Sequence, residues 1–141
     1  MISESFPTRN DRWLFIIACG WNMSAAAVAL LAPAFHAQVF FGPGASLAEP
    51  AAQLNTQAFW VSVALFGLGY GLVARDPSRN HGIVGLAALG KFYVAMMWSW
   101  YFFRGDAGIL ALLGAIGDFS FALLFVRFLL RARRASPPSF P

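Results

Sequence analysis

The sequence predicts an all-α integral membrane protein: a four-helix transmembrane bundle with both termini in the cytoplasm (N-in/C-in). Three observations carry that expectation. Four apolar runs are each about 20 residues long, the number of helical residues needed to cross a hydrocarbon core of about 30 Å. Hydrophobic residues make up 59% of the 141-residue chain and charged residues only 11%, about half the charge of an ordinary soluble domain. The arginines gather at one set of run ends, the asymmetry that orients membrane helices.

The first run covers 13–35. Arg9 and Arg12 precede it and Ala32-Pro33-Ala34 imitates a leader-cleavage site, but the run is longer than the roughly 7–15 apolar residues of a secretory leader. It therefore reads as a retained span. The second run covers 56–74, the third 82–103 and the fourth 107–130. Helices follow because lipid leaves no partner for open backbone groups, and no series of alternating ten-residue segments marks a barrel. The connection 36–55 contains Phe40-Phe41-Gly42-Pro43-Gly44 and is too polar and broken to span. Its aromatic start suits the headgroup layer. Asp76-Pro77-Ser78-Arg79-Asn80-His81 supplies turn formers and charge, and Arg104-Gly105-Asp106 makes a tight turn. One domain fits this length: a cytoplasmic segment 1–12, a transmembrane domain 13–130, and a basic tail 131–141. The stretch 135–141, rich in proline and serine, is expected to be disordered.

Under this topology Arg9, Arg12, Arg75, Arg79, Arg127, Arg131, Arg133 and Arg134 fall on one side and Arg104 alone on the other. The crowded side is the cytoplasm. Trp60, Trp98, Trp100 and Tyr101 then lie near the outer interface and Trp13 near the inner one, as an aromatic belt. The net charge of +4 does not indicate nucleic acid, because the basic residues mark helix ends rather than a stripe on a fold.

Three polar side chains interrupt the runs far from their ends: Asn22, Lys91 and Asp118. At about 1.5 Å of rise per residue they sit about 14, 13 and 18 Å from the cytoplasmic ends, within the reach of one lysine side chain. Each shares a helix face with small residues. Asn22 lies with Ala18, Cys19, Ala25, Ala26 and Ala29; Lys91 with Val84, Ala87, Ala88 and Ala95; Asp118 with Ala111, Gly114, Ala115 and Ala122. The second run adds Gly67 and Gly71 in a G-x-x-x-G spacing, with Tyr70 beside them. Small residues let helix backbones approach in lipid, so Gly67, Gly71 and Gly114 are expected packing positions and Asn22, Tyr70, Lys91 and Asp118 an interior polar cluster. A lone charge at mid-membrane costs about 2.5–3.5 kcal/mol on insertion scales. Pairing reduces that cost without making the site better than an apolar core. The pair therefore reads either as a functional site or as a device that fixes helix register.

Other chemistry finds little support. The single cysteine, Cys19, excludes an internal disulfide and reads as a small buried side chain. His36 and His81 fall on opposite sides of the bilayer, and no metal-ligand spacing occurs. Gly67-Leu68-Gly69-Tyr70-Gly71 lies within a helix rather than after a strand, which argues against a phosphate cradle. Ser24, Ser62, Ser99 and Ser120 lack a histidine to activate them. The basic run 127–134 could hold anionic lipid, and it also serves as the anchor that stops the last helix.

Gly69-Tyr70-Gly71 through Arg75-Asp76-Pro77-Ser78-Arg79-Asn80-His81, then Gly90-Lys91 and Gly117-Asp118, resemble small bacterial four-helix membrane proteins, broadly the DoxX-like group. The resemblance covers the last two thirds of the chain. It implies a four-helix bundle in a bacterial inner membrane, and a small subunit beside a quinone-linked enzyme. Two functions stay open from the residues, with a membrane-embedded enzyme using Lys91 or Asp118 as acid or base as a lesser third. One is an accessory or binding subunit whose cluster engages a small polar ligand, a quinone or a proton. The other is a structural subunit that packs on a protein partner or a second copy, with lipid around both. No catalytic residue, cofactor or metal is assigned.

Overall fold

The computed structural model describes residues 6–45 and 47–135, which form five helices: α1 (Arg9–Leu31), α2 (Pro33–Phe41), α3 (Pro50–Arg75), α4 (His81–Phe103) and α5 (Ile109–Ala135). Four of them, α1, α3, α4 and α5, are long and apolar enough to cross a membrane.

Local chemistry sets the ends. Thr8 and Asp11 form a capping box at the start of α1: Asp11 accepts from the Thr8 backbone N–H at 2.8 Å, and Thr8 Oγ1 accepts from the Asp11 N–H at 3.3 Å. This satisfies donors that the first helical turn leaves free. Pro33 disfavours helical backbone at the residue before it, and Ala32 accordingly takes φ −133° and ψ 59°. The same proline starts α2, where its missing N–H costs nothing. Pro50 starts α3 in the same way. Gly105, at φ +81°, makes the turn between α4 and α5 that a side chain would strain.

These ends correct four boundaries. The first span starts at Arg9 and stops at Leu31 rather than covering 13–35, because Pro33 breaks it. The stretch after it, expected to be a connection from residue 36, folds as the short helix α2. The second span begins at Pro50, six residues before its expected start at 56. The last helix continues through the basic run to Ala135, so 131–135 is helical, including Ala135, which was expected to begin the disordered stretch. The expected disorder beyond it, at 136–141, falls outside the described residues.

α1 lies along α3 and α4 along α5, and contact between the two pairs is sparser. At the basal end, where the start of α1 meets the end of α5, Phe15 stacks on Phe125 at 5.2 Å and meets Phe128 edge-on at 5.1 Å. Tyr70, Val73, Val84 and Ala87 complete this core. At the apical end Ala26, Ala29, Ala95, Ala111 and Ala115 surround Trp60 and Trp98. α2 folds over that end: the Gly108 N–H donates to the Phe40 carbonyl at 2.6 Å, and a Cβ on Gly108 would lie 3.2 Å from the Val39 carbonyl.

The inside is built from small residues and a few rings; the outside carries the large aliphatics. Leu31, Leu65, Leu89, Tyr93 and Phe103 all stand exposed. So large an apolar surface on a soluble monomer would drive association, and it suits contact with lipid. The four aromatic residues expected together at the outer interface divide between core and surface. Trp60 and Trp98 are core residues, while Trp100 and Tyr101 face outward.

Candidate functional site

A polar knot at mid-bundle ties all four long helices together. Asn22, on the inner face of α1, donates through Nδ2 to the Val63 carbonyl of α3 at 3.0 Å. Its Oδ1 accepts from Lys91 Nζ of α4 at 3.0 Å. Lys91 Nζ also donates to Asp118 Oδ1 of α5 at 2.5 Å. Trp21 Nε1, next to Asn22 on α1, donates to the same Asp118 oxygen at 3.2 Å. The lysine side chain is 6% exposed and the aspartate 17%.

Two glycines make this convergence sterically feasible. A Cβ on Gly67, one turn along α3 from Val63, would lie 2.9 Å from Met23 Sδ and 3.2 Å from Asn22 Cβ. A Cβ on Gly117 would lie 2.5 Å from the Trp21 ring. Real side-chain carbons do not approach that closely, so α1 reaches both partner helices because these positions carry hydrogen only. Close backbone approach is the main packing device available in lipid.

The knot retains bonding capacity. A lysine ammonium donates three hydrogen bonds, and Asn22 and Asp118 take two of them. The rings of Tyr70 and Phe121 flank the ammonium, at 5.7 and 5.2 Å from Nζ to the centroids, where their faces add cation–π attraction. Both hydrogen bonds to Asp118 fall on Oδ1, so Oδ2 keeps its capacity to accept.

Beside the knot lies a cavity of about 530 Å³, within the range of about 300–1,000 Å³ usual for small-molecule sites. Trp21, Asn22, Lys91 and Asp118 line one part of it; Phe40, Phe59, Trp60 and Trp98 line another, with His36. His36 was expected outside the first helix, in the connection. It is buried on α2, stacked on Phe40 at 4.3 Å and edge-on to Trp60 at 4.7 Å. Burial holds its imidazole below the ordinary histidine pKa, so the ring is neutral, with one donor and one acceptor nitrogen.

Asn22, Lys91 and Asp118 thus come together, with Tyr70 offering a ring face beside them. Of the expected packing glycines, Gly67 is at a close approach and Gly71 at an ordinary one, 3.8 Å from Cys19 Sγ. Gly114 departs from expectation: a Cβ there would meet nothing within 4 Å, and the residue lines the cavity instead of a helix contact. Sequence reasoning missed Trp21, Gly117, His36 and Trp98. A tryptophan in the middle of a span, away from both interfaces, was the available signal for Trp21. Nothing in the local sequence marks His36, whose burial depends on how α2 folds back.

His81, at the start of α4, packs against Phe6 and Phe128, and no group of three metal-ligating side chains occurs among the described residues. No family model, no curated protein and no solved structure matches this chain.

Proposed function

We propose that the protein is a binding or accessory subunit of a bacterial inner membrane, with both termini cytoplasmic, and that it holds a small neutral amphiphile in the cavity beside Lys91 and Asp118. The observation that carries this reading is that a buried ion pair with unused hydrogen-bonding capacity forms part of a cavity wall. The pair is neutral in sum. An anionic head would add an uncompensated charge to a low-dielectric site, which is costly. A carbonyl or hydroxyl head can accept the third lysine hydrogen or donate to Asp118 Oδ2 without that cost. A quinone headgroup belongs to this class, and the DoxX-like resemblance points the same way.

One observation favours a structural alternative. Because the knot bonds α1, α3, α4 and α5 to one another, it could serve only to fix their register, with a protein partner or a second copy covering the outer faces.

Filling the cavity without touching the knot separates the two. Gly114→Leu places a side chain in open space and should leave thermal stability near wild type. Solvent extraction and mass spectrometry of wild-type protein purified in mild detergent should show a bound amphiphile, depleted in Gly114→Leu. Equal small-molecule content in both proteins would favour the structural reading. For orientation, reporters fused after Ala135 and within the 77–81 turn should read cytoplasmic, and one near Glu49 external; an external reading after Ala135 would remove the even span count.

A further inference from the structure

The walls of the cavity are unequal. Below it the packed rings of Phe15, Phe125 and Phe128 fill the basal end. Above it α2 folds over the apical end, with the Phe40 carbonyl accepting from the Gly108 N–H. Between α3 and α4, the rings of Phe59 and Trp60 meet Trp98 at 6.3 and 6.2 Å. The side between α1 and α5 is built differently. Among the described residues, the ion pair, ring contacts and hydrogen bond that join these two helices all lie at or below Trp21: Asp11 with Arg131, Phe15 with Phe125 and Phe128, and Trp21 with Phe121 and Asp118. Higher up, Pro33 starts α2, and the α2 backbone packs against Gly108 at the start of α5. Between Gly117 and Gly108, over which α5 rises about 13 Å, no such bridge joins α5 to α1.

Residues on both edges of this gap belong to the cavity and to the outside at once. Val28 of α1 and Leu110 and Leu113 of α5 line the cavity, yet they are 44%, 40% and 51% exposed. Gly114 lines it too, and a Cβ there would meet nothing within 4 Å. In a membrane such residues face acyl chains, which makes the gap a side window. Trp21 forms its sill, with its ring over Gly117 and its Nε1 on Asp118. We propose that the ligand is a lipid-soluble amphiphile that enters through this window, its compact neutral head at Asp118 and Lys91 and its alkyl tail leaving between α1 and α5 into the lipid. This rests on the binding reading above and adds the ligand's tail and its route. Asp118, bonded to the sill and the more accessible member of the pair, is the first polar group such a head meets. A hydroxyl head can donate to Asp118 and accept from Lys91. The tail needs no enclosure, because lipid is as apolar as the edges of the window. A phospholipid does not fit, since its charged headgroup would have to leave water for the bundle interior. A water-soluble metabolite would meet α2 at one end and packed rings at the other.

The test uses two probes in lipid nanodiscs: 4-methylphenol, a head without a tail, and a 4-alkylphenol whose long tail carries a photoreactive diazirine. Binding of 4-methylphenol is measured by equilibrium dialysis, with empty nanodiscs subtracted. After irradiation, the sites labelled by the tailed probe are mapped by peptide mass spectrometry. Label at 24–28 and 110–114 should fall at least fivefold with excess 4-methylphenol, whereas label on the outward Leu89 and Tyr93 of α4 should not. Val28→Trp, at an exposed edge, should lower the displaceable label at least fivefold and 4-methylphenol binding by less than twofold. Displaceable label on 59–66 and 87–94 instead of the window overturns the proposal. So does 4-methylphenol binding without displaceable label, or a Val28→Trp variant that loses neither probe or both equally; each of these leaves the site in place. Lys91→Met with Asp118→Leu tests that site by itself and should lose 4-methylphenol. Unchanged binding in that variant, or no binding by wild type, removes the site and the window together.

Discussion

Among the described residues, buried Asp11 and partly buried Asp118 each bond across helices, and they differ in what surrounds them. At the basal end Asp11 of α1 pairs with Arg131 of α5. Asp11 is already engaged by Thr8, through its N–H and its hydroxyl, both at 2.8 Å. The arginine reaches the surface, with its side chain 36% exposed, and neither residue lines the cavity beside the knot. At mid-bundle Asp118 pairs with Lys91, which is almost fully buried, and both line a cavity with bonding capacity left over. Each pair joins a buried charged side chain to a less buried partner of opposite charge. Arg131 Nε is also without a hydrogen-bond partner among the described residues, so what distinguishes the candidate site from the helix clasp is the adjoining space, large enough for a molecule.

The largest effects should come from breaking the inner pair from one side. Lys91→Met leaves Asp118 uncompensated, and Asp118→Leu does the same to Lys91; either should cost about 3–5 kcal/mol. Exchanging both for apolar residues should recover most of that loss. Melting and monodispersity in detergent for the two single variants and the double check this. Additive losses would mean that the two side chains are energetically independent despite their 2.5 Å contact.

Steric changes at the glycines come next. Gly117→Leu and Gly67→Leu each press a side chain into α1, against Trp21 and against Met23 and Asn22, and should cost about 1–3 kcal/mol as overpacking does. Gly114→Ala should be nearly silent, since nothing lies within 4 Å of the added carbon. Equal melting shifts at Gly114 and Gly117 would contradict the placement of α1 against α5.

The outer pair should give a smaller effect than the inner one. Asp11→Ala removes the acid's half of the capping box, its bonds from the Thr8 N–H and hydroxyl, along with the ion pair. Caps are worth about 0.5–2 kcal/mol, and an ion pair whose arginine reaches the surface adds about 0–1 kcal/mol. A loss of about 1–2 kcal/mol with unchanged ligand content would confirm that the basal pair is a clasp. A change in bound ligand on Asp11→Ala would break the comparison.

The contrast also marks how much could be read from the chain. Four runs of apolar length fix four long helices, because length and hydropathy are local properties. The small-residue faces around Asn22 and Lys91 are likewise local patterns of period 3.6, and they placed those side chains toward the interior. Whatever depends on chain reversal was not legible. Pro33 was read as part of an apolar run, although its effect on Ala32 breaks the helix and starts α2. Once α2 folds back, His36 leaves the surface and joins Trp60 and Trp98. Asp11 was read as part of an N-terminal segment and Arg131 as part of a tail; only the meeting of α1 and α5 makes them partners. Gly117 was noticed beside Asp118 for its motif, while its steric reason, the Trp21 ring, lies 96 positions earlier and needs the packed bundle to appear.

The most direct measurement uses the double variant Lys91→Met, Asp118→Leu, purified in parallel with wild type in mild detergent and extracted for mass spectrometry. The expected result is a melting temperature close to wild type and loss of a small amphiphile that wild type retains. Stability would then be separated from binding, and the knot would be a ligand site. Identical small-molecule content in the two proteins, with stability equally restored, would contradict that claim and leave Lys91 and Asp118 as a second helix clasp.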